Sequence, residues 1–234
     1  MRSPWSYLIL LATGLAIGSA GSEAVELTLY GESLCPFCKN WILEEAVPLF
    51  QQGFDEYIHL RYVAWGNAHA REGEAPACQH GPLECRGNDY INCVQAHYPK
   101  ARTWFPYVAC LARQRDARGF QKALEGCTKG TELDAALLTA CANSSEGPEL
   151  AAAARRETDG LRPPHSGVPW PTINGVAQGE GSLRSYLCAA IPADSTRPEV
   201  CFGPGPERES VWQAWRGRVA ASLRAIRGRR WIAA

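Results

Sequence analysis

The sequence predicts an α/β protein made of a βαβ unit, a helical cysteine-rich insertion, and a closing β-hairpin and helix. Two alternating, β-rich runs at 25–30 and 58–64 flank a stretch whose apolar residues recur at helical spacing. The strand pattern is absent from 66 to 164, where six of the ten cysteines lie. An Asn174-Gly175 pair between β-prone runs then indicates a hairpin. Charged residues make up 21% of the 234 residues and apolar residues 46%, which is a globular composition.

The βαβ unit begins with the run at 25–30 as its first strand. A short loop leads to Cys35-Pro36-Phe37-Cys38, and one helix is predicted from Pro36 to Phe50, because proline suits the first helical position. The second strand covers 58–64. This connectivity predicts that the two strands are parallel neighbours.

The insertion is expected to hold short helices separated by Gly, Pro and polar breaks. They are predicted at 89–97, 104–115, 133–142 and 149–156. After it, the run at 168–173 and the pair at 176–177 form the hairpin, and 182–191 forms the closing helix. Pro171 cannot donate to a ladder hydrogen bond, so its strand is expected at an edge or at a bulge.

The two ends of the chain differ from the body. A charged start, an apolar run from 7 to 17 and small residues up to Ala20 are typical of a secretory signal peptide, and the run is too short for a membrane anchor. The mature chain is therefore expected where thiols oxidise. The predicted organisation is a signal peptide at 1–20, a first α/β part at 21–65, the insertion at 66–164, a second α/β part at 165–201 and a basic tail at 202–234.

Charge excludes some partners and leaves others open. Lys plus Arg (24) equals Asp plus Glu (24), which argues against nucleic acid as a partner. Past Pro206, seven arginines face two glutamates, and a basic amphipathic helix on a membrane or partner is one reading of this tail. A solvated or cleavable propeptide is the other. Asn143, in Asn-Ser-Ser, is a predicted glycosylation site.

The Cys35/Cys38 pair has the spacing of a redox motif between a strand and a helix. At a helix N-terminus, free N–H groups and the helix dipole favour a thiolate, so Cys35 is the predicted nucleophile, exposed to substrate. Cys38, lying deeper, is predicted to resolve the mixed disulfide. The alternatives are a static disulfide and a zinc site that also uses Cys78, Cys85 and His80.

A second motif carries a resemblance to a known family. Eight positions match the Cys-Gln-His-Gly-x-x-Glu-Cys-x-x-Asn-x-x-x-x-Cys signature of the gamma-interferon-inducible lysosomal thiol reductases: Cys78, Gln79, His80, Gly81, Glu84, Cys85, Asn88 and Cys93. The resemblance extends over about 25–201. It implies a thioredoxin-like fold with a helical, disulfide-rich insertion after the second strand. It also implies an acid-active thiol reductase of endosomes and lysosomes, which reduces disulfide-bonded protein antigens.

The same resemblance assigns roles to residues. The redox cysteines correspond to Cys35 and Cys38, and Val168 with Pro169 corresponds to the substrate-contacting cis-proline loop of thioredoxin-type sites. Parity suggests three bridges within the insertion and one between Cys188 and Cys201. The remaining six structural cysteines are Cys78, Cys85, Cys93, Cys110, Cys127 and Cys141. The polar signature residues Gln79, His80, Glu84 and Asn88 are expected to pack the cystine-rich loop, without a metal.

The sequence and the resemblance also suggest partners and alternative functions. The expected partners are disulfide-bonded proteins and a lysosomal sorting receptor, with a small thiol as the electron source and no bound cofactor. A secretory-pathway oxidase or isomerase, and a catalytically silent disulfide-stapled binding module, remain alternatives. The Pro-Phe pair within the redox motif and the arginine-rich ending depart from the family pattern, and the oligomeric state is undetermined.

Overall fold

A computed structural model describes residues 24–71, 74–193 and 196–202. The predicted signal peptide and almost all of the basic tail lie outside these residues. Within the described ranges, no helix is both long and apolar enough to cross a bilayer.

The sheet has four strands in the order β2-β1-β3-β4. Strand β1 (Val25–Gly31) pairs in parallel with β2 (Ile58–Ala64), which confirms the predicted βαβ unit. Strand β3 (Trp170–Ile173) runs antiparallel to β1, and the short β4 (Val176–Ala177) completes the hairpin. The chain therefore has an α/β fold with its redox motif at the end of a central strand.

The prediction that Pro171 lies at an edge strand or at a bulge is wrong, because β3 lies between β1 and β4 and its register with both strands is unbroken. The carbonyl of Pro171 accepts a hydrogen bond from the Gln178 N–H at 2.9 Å, just beyond the end of β4. In an antiparallel ladder a residue's N–H and C=O point to the same neighbour. The missing N–H of Pro171 thus faces the side where the two-residue β4 has already ended, and the pairing of β3 with β1 is unaffected.

The helix after the redox motif is not the single α-helix predicted over 36–50. Helix α1 (Pro36–Trp41) passes into a π-helical turn (Ile42–Ala46) and then into α2 (Val47–Gln51). The Val47 N–H bonds to the Ile42 carbonyl, five residues back. Pro48 follows directly and has no N–H to continue the α-helical pattern, which accounts for the change of winding at this point.

The insertion is more helical than predicted. Its helices are α3 (Pro82–His97), α4 (Ala101–Ala112), α5 (Ala117–Gly126), α6 (Ala135–Asn143) and α7 (Glu146–Asp159). Helices α3 and α7 extend beyond the expected bounds, α4 and α6 are shifted by one to three residues, and α5 is additional. Helix α5 was not predicted, since its buried face consists of only a few residues. It begins at Asp116, whose carboxylate accepts from the Gly119 N–H, and it buries Phe120 and Leu124. The closing helix is α8 (Leu183–Ala190).

Helix α3 is fixed to the outer edge of β2 by two side-chain amides. Gln95 accepts from the Tyr62 N–H at 2.8 Å and donates to the Tyr62 carbonyl at 2.7 Å. Asn92 makes the same pair of bonds to Ala64. These contacts satisfy backbone groups that an edge strand would otherwise leave open. They also hold the first turns of α3, which carry the second half of the signature motif, beside the redox loop.

All ten cysteines lie in the described ranges. Four disulfides join eight of them: Cys78–Cys85, Cys93–Cys141, Cys110–Cys127 and Cys188–Cys201. Three of these bridges lie within the insertion, and the fourth joins α8 to a 3-10 turn (Glu199–Cys201). Cys35 and Cys38 are free thiols.

Candidate active site

Cys35 is the N-cap residue of α1, and its Sγ accepts a hydrogen bond from the Cys38 N–H at 3.4 Å. The pKa of Cys35 is lowered from 9.0 to about 6. The hydrogen bond from the Cys38 thiol is the largest cause, and the N–H groups of Cys38 and Phe37 and the charge of His80 add to it against the effect of burial. The start of this helix therefore produces the thiolate that disulfide exchange requires.

The sulfur is less accessible than the sequence predicts. Cys35 is only 4% exposed, while the adjacent Phe37 is 69% exposed. The Cys35 Sγ lies 3.9 Å from the Val168 carbonyl oxygen, so the loop before β3 covers part of the sulfur. The Val168–Pro169 peptide bond is cis, as is Arg162–Pro163.

Cys38 is completely buried behind Cys35. Its Sγ accepts from the Glu32 N–H at 3.5 Å. The pKa of Cys38 is raised far above that of an ordinary thiol, first because its S–H is hydrogen-bonded to Cys35 and then because of burial. The pair thus consists of one ionised and one protonated sulfur, which are the forms needed for attack and for later resolution.

Gly31 is required beneath Cys38. A Cβ at this position would lie 3.1 Å from the Cys38 Sγ and 3.0 Å from a ring carbon of Tyr62. The Tyr62 hydroxyl is buried and has no hydrogen-bond partner among the described residues. Burial raises the pKa of Tyr62 well above its ordinary value, so this phenol stays protonated beside the thiol.

The polar signature residues were expected to pack the cystine-rich loop. In the structure they also contact the loop that precedes the redox cysteines. Asn88 accepts from the Ser33 N–H at 2.9 Å, and the Ser33 hydroxyl donates to the Glu84 carbonyl at 3.0 Å. Gln79 accepts from the Asn67 side chain at 2.8 Å. The motif therefore holds the loop that leads from β1 into the redox cysteines.

Glu32 is the functional candidate that sequence reasoning missed. It is 0% exposed, and one of its carboxyl oxygens accepts from the Asn67 N–H at 2.6 Å. Burial and then the charge of Glu84 raise the pKa of Glu32 to about 7. Gly66, at φ +62°, allows this approach, because a Cβ there would lie 2.4 Å from the Glu32 Cγ.

Glu32, His80 and Glu84 place three ligand atoms within 4.8 Å of one another. The His80 Nδ1 lies 2.6 Å from Glu84 Oε2 and 3.6 Å from Glu32 Oε2. Two ligands on tetrahedral zinc are about 3.3 Å apart, so the shorter contact is a hydrogen bond. The zinc site considered with Cys78 and Cys85 is excluded, since those two sulfurs are bonded to each other.

Comparisons with known proteins agree with this geometry. Residues 26–131 match the family model described as "Gamma interferon inducible lysosomal thiol reductase (GILT)". A gamma-interferon-inducible lysosomal thiol reductase of Carassius auratus is 34% identical over 191 residues, covering 77% of this chain and 73% of that protein. A gamma-interferon-responsive lysosomal thiol protein of Arabidopsis thaliana is 28% identical, covering 93% and 92%.

The fold is similar to that of a solved thiol oxidoreductase. The crystal structure of Chlamydia trachomatis DsbA aligns with a TM-score of 0.53 and 14% identity, over 81% of this chain and 95% of that one. The α/β architecture is therefore thioredoxin-like, with the disulfide-rich helical insertion that the sequence predicts. By its sequence relatives and its free Cys35/Cys38 pair, the chain is a disulfide oxidoreductase that belongs to the gamma-interferon-inducible lysosomal thiol reductase family.

Proposed function

We propose that this enzyme reduces disulfide bonds of protein substrates in acidic endosomes and lysosomes, with a small thiol as the electron source. The observation that carries the proposal is the lowered pKa of Cys35, about 6, at the start of α1. At about pH 5 a thiol with the ordinary pKa of 9.0 is ionised in only about one molecule in ten thousand. A thiol with a pKa of about 6 is ionised in about a tenth of the molecules, a gain of about 900-fold.

The reaction is a two-electron exchange between disulfides. The Cys35 thiolate attacks one substrate sulfur, a Cys35–substrate disulfide forms, and the other substrate sulfur leaves and takes up a proton. Cys38 then loses its proton and attacks the Cys35 sulfur, which releases the second substrate thiol. The substrate has gained two electrons, and the enzyme holds a Cys35–Cys38 disulfide. Two small thiol molecules reduce this disulfide and leave as their own disulfide.

The surroundings of Cys35 favour an extended or unfolded protein chain as the substrate. Phe37, two residues after Cys35, is 69% exposed, and the Val168 carbonyl, next to Pro169, lies 3.9 Å from the Cys35 sulfur. We assign Val168 and Pro169 as substrate-binding residues on this basis. Apolar segments become exposed when proteins unfold in acidic compartments, and Phe37 offers such segments a contact next to the nucleophile.

Delivery to the lysosome is the second part of the proposal. Its support is the signal peptide predicted at 1–20 and the lysosomal names of the Carassius auratus and Mus musculus relatives. Asn143 is exposed at the end of α6, where a glycan would meet solvent and could be read by a sorting receptor. Antigen processing would follow from the reduction of disulfide-bonded antigens in that compartment.

Insulin reduction tests the activity directly. The secreted enzyme is assayed at pH 5 and 7 with excess cysteine, followed by the precipitation of free insulin B chain. We expect turnover by the wild type, none by Cys35→Ser, and a covalent enzyme–insulin adduct with Cys38→Ser. Full activity of Cys35→Ser would favour a silent binding module. Failure to reduce insulin, with a reduction potential well above the glutathione poise, would favour an oxidase.

A further inference from the structure

The buried Cys38 sulfur has to exchange a proton with its surroundings in every cycle. When a small thiol resets the enzyme, it attacks Cys35, the Cys35–Cys38 bond breaks, and the electron pair goes to the Cys38 sulfur. Cys38 is 0% exposed, and its pKa is raised first by the hydrogen bond to Cys35 and then by burial. Burial remains when Cys35 is bonded to the small thiol, so a bare thiolate at this position is unfavourable. Bulk water does not contact this sulfur, and a nearby group must therefore supply the proton.

Glu32 is an acidic residue in contact with this sulfur. Its own N–H already contacts the Cys38 Sγ at 3.5 Å, and its charge acts on the pKa of Cys38. One carboxyl oxygen, Oε1, is held by the Asn67 N–H. The other, Oε2, is buried and accepts no hydrogen bond from the described residues. A buried, unpartnered carboxyl oxygen is costly to keep unless it is protonated or functional.

His80 connects this buried carboxyl with the surface. Its side chain is 33% exposed, and its Nδ1 lies between Glu84 Oε2 at 2.6 Å and Glu32 Oε2 at 3.6 Å. The His80 backbone N–H also donates to Glu84 Oε1 at 2.9 Å, so Glu84 holds both the backbone and the ring of His80 at the first turn of α3. Glu84 itself is 0% exposed. The path from Glu32 to solvent therefore runs through a ring that Glu84 holds in place.

We propose that Glu32 carries the proton to and from the Cys38 sulfur, and that His80 and Glu84 of the signature motif tune this carboxyl and connect it to solvent. In the reset, the Glu32 carboxyl gives its proton to the departing Cys38 sulfur and becomes a carboxylate, which solvent reprotonates by way of His80. In the resolution of a mixed disulfide, the same carboxylate takes the proton from Cys38. This inference rests on the proposed Cys35/Cys38 exchange.

The other ionisable groups around Glu32 do not fill this role. Tyr62, on β2, faces the same sulfur, but its raised pKa keeps the proton on the phenol. Lys39, on α1, donates from its ammonium to the Gln114 carbonyl at 3.1 Å and lies over the Phe120 ring. Cys35 is part of the disulfide during the reset and has no proton to give.

The charges around Glu32 supply a test that distinguishes proton transfer by this residue from a purely structural role. The negative charge of Glu84 raises the pKa of Glu32, and His80 lowers it. Glu84→Gln is therefore expected to move the Glu32 midpoint to lower pH, and His80→Gln to move it to higher pH. In the oxidised enzyme the wild-type midpoint should lie at or somewhat below 7, because the negative charge of Cys35, another raising cause, is absent.

The experiment measures how fast dithiothreitol reduces the oxidised full-length enzyme between pH 4.5 and 8.5. The reaction is stopped with acid, free thiols are alkylated, and the products are measured by mass spectrometry. Each rate is divided by the concentration of dithiothreitol thiolate. In the wild type, the corrected rate is expected to be constant in acid and to fall about tenfold per unit above the midpoint. Glu32→Gln should be at least about tenfold slower at pH 5 and independent of pH. Glu149→Gln, an exposed acid on α7, is the matched control and should behave as wild type.

Two results would overturn the proposal. The first is a Glu32→Gln enzyme with the rate and pH profile of the wild type. The second is stoichiometric zinc binding by calorimetry that Glu32→Gln abolishes, which would make the cluster a metal site. The assay needs only dithiothreitol and the Cys35–Cys38 disulfide, so it reads the proton path even if the enzyme does not reduce insulin. Conversely, insulin reduction stands even if the path is wrong.

Discussion

Removal of the Cys38 thiol should raise the pKa of Cys35. The hydrogen bond from this thiol is the largest cause of the lowered Cys35 pKa. In Cys38→Ala that donor is lost, while the N–H groups of Cys38 and Phe37 remain. We expect the midpoint of Cys35 to rise from about 6 by at least about one unit. At about pH 5 the thiolate fraction then falls from about a tenth to about a hundredth or less.

Cys38→Ser is the matched control, because its hydroxyl can still donate to the Cys35 sulfur. In both variants Cys35 is the one free cysteine, since the other eight are paired. The assay is the rate of iodoacetamide labelling against pH, read by intact mass. The serine variant should titrate below the alanine variant. Equal midpoints would refute the thiol hydrogen bond as the main cause, and midpoints near 8 in both would refute the acid-active reading itself.

Two further predictions concern stability. The folded pKa of Glu32, about 7, exceeds its ordinary value of 4.5, so its contribution is fully present below about pH 4.5 and is lost as the pH rises through 7. Asp89, whose pKa burial raises to about 6, also loses stability over this range. In a Cys35→Ser background, Glu32→Gln should therefore reduce the loss measured by urea unfolding by about 3 kcal/mol without removing all of it; an unchanged slope would contradict the assignment. Joint replacement of Cys93 and Cys141 by alanine opens a bridge that spans 48 positions and should lower the free energy of unfolding by about 4 kcal/mol. The labelling midpoint of Cys35 should not move, and a shift would show that this bridge positions the redox loop.

The sheet and the redox pair could be predicted because their signals are local. Alternation gives β1 and β2 directly, and a Cys-x-x-Cys pair between a strand and a helix has few other meanings. The π-helical turn at Ile42–Ala46 could not be predicted, since five residues are too few to separate its period from that of an α-helix. Helix α5 was missed because its buried face is only a few residues wide.

Glu32 shows where sequence reasoning stops. In the sequence it is a charged residue in a short loop, and such residues are mostly exposed. Its burial depends on Asn67 and His80, which are 35 and 48 positions away and carry no pattern that points to Glu32. The signature motif was recognisable as a resemblance, but its contact with this loop arises only when α3 is fixed against β2. Long-range contacts of this kind are invisible to periodicity and spacing.

The pKa of Cys35 is lowered and the pKa of Glu32 is raised, and together these two shifts suit one range of pH. Attack on substrate requires the thiolate, which is lost below a pKa of about 6, and the proposed reset requires the neutral carboxyl, which is lost above about 7. Attack and reset are consecutive half-reactions, so the slower one limits turnover, and for a given concentration of reductant thiolate the profile is highest between the two values. Both groups are therefore in their working forms in a mildly acidic lumen. Above about 7 the loss of the neutral carboxyl, about tenfold per unit, cancels the equal rise in reductant thiolate, so neutral pH brings the reset no further gain and the same pair of residues suits a reductase of acidic compartments.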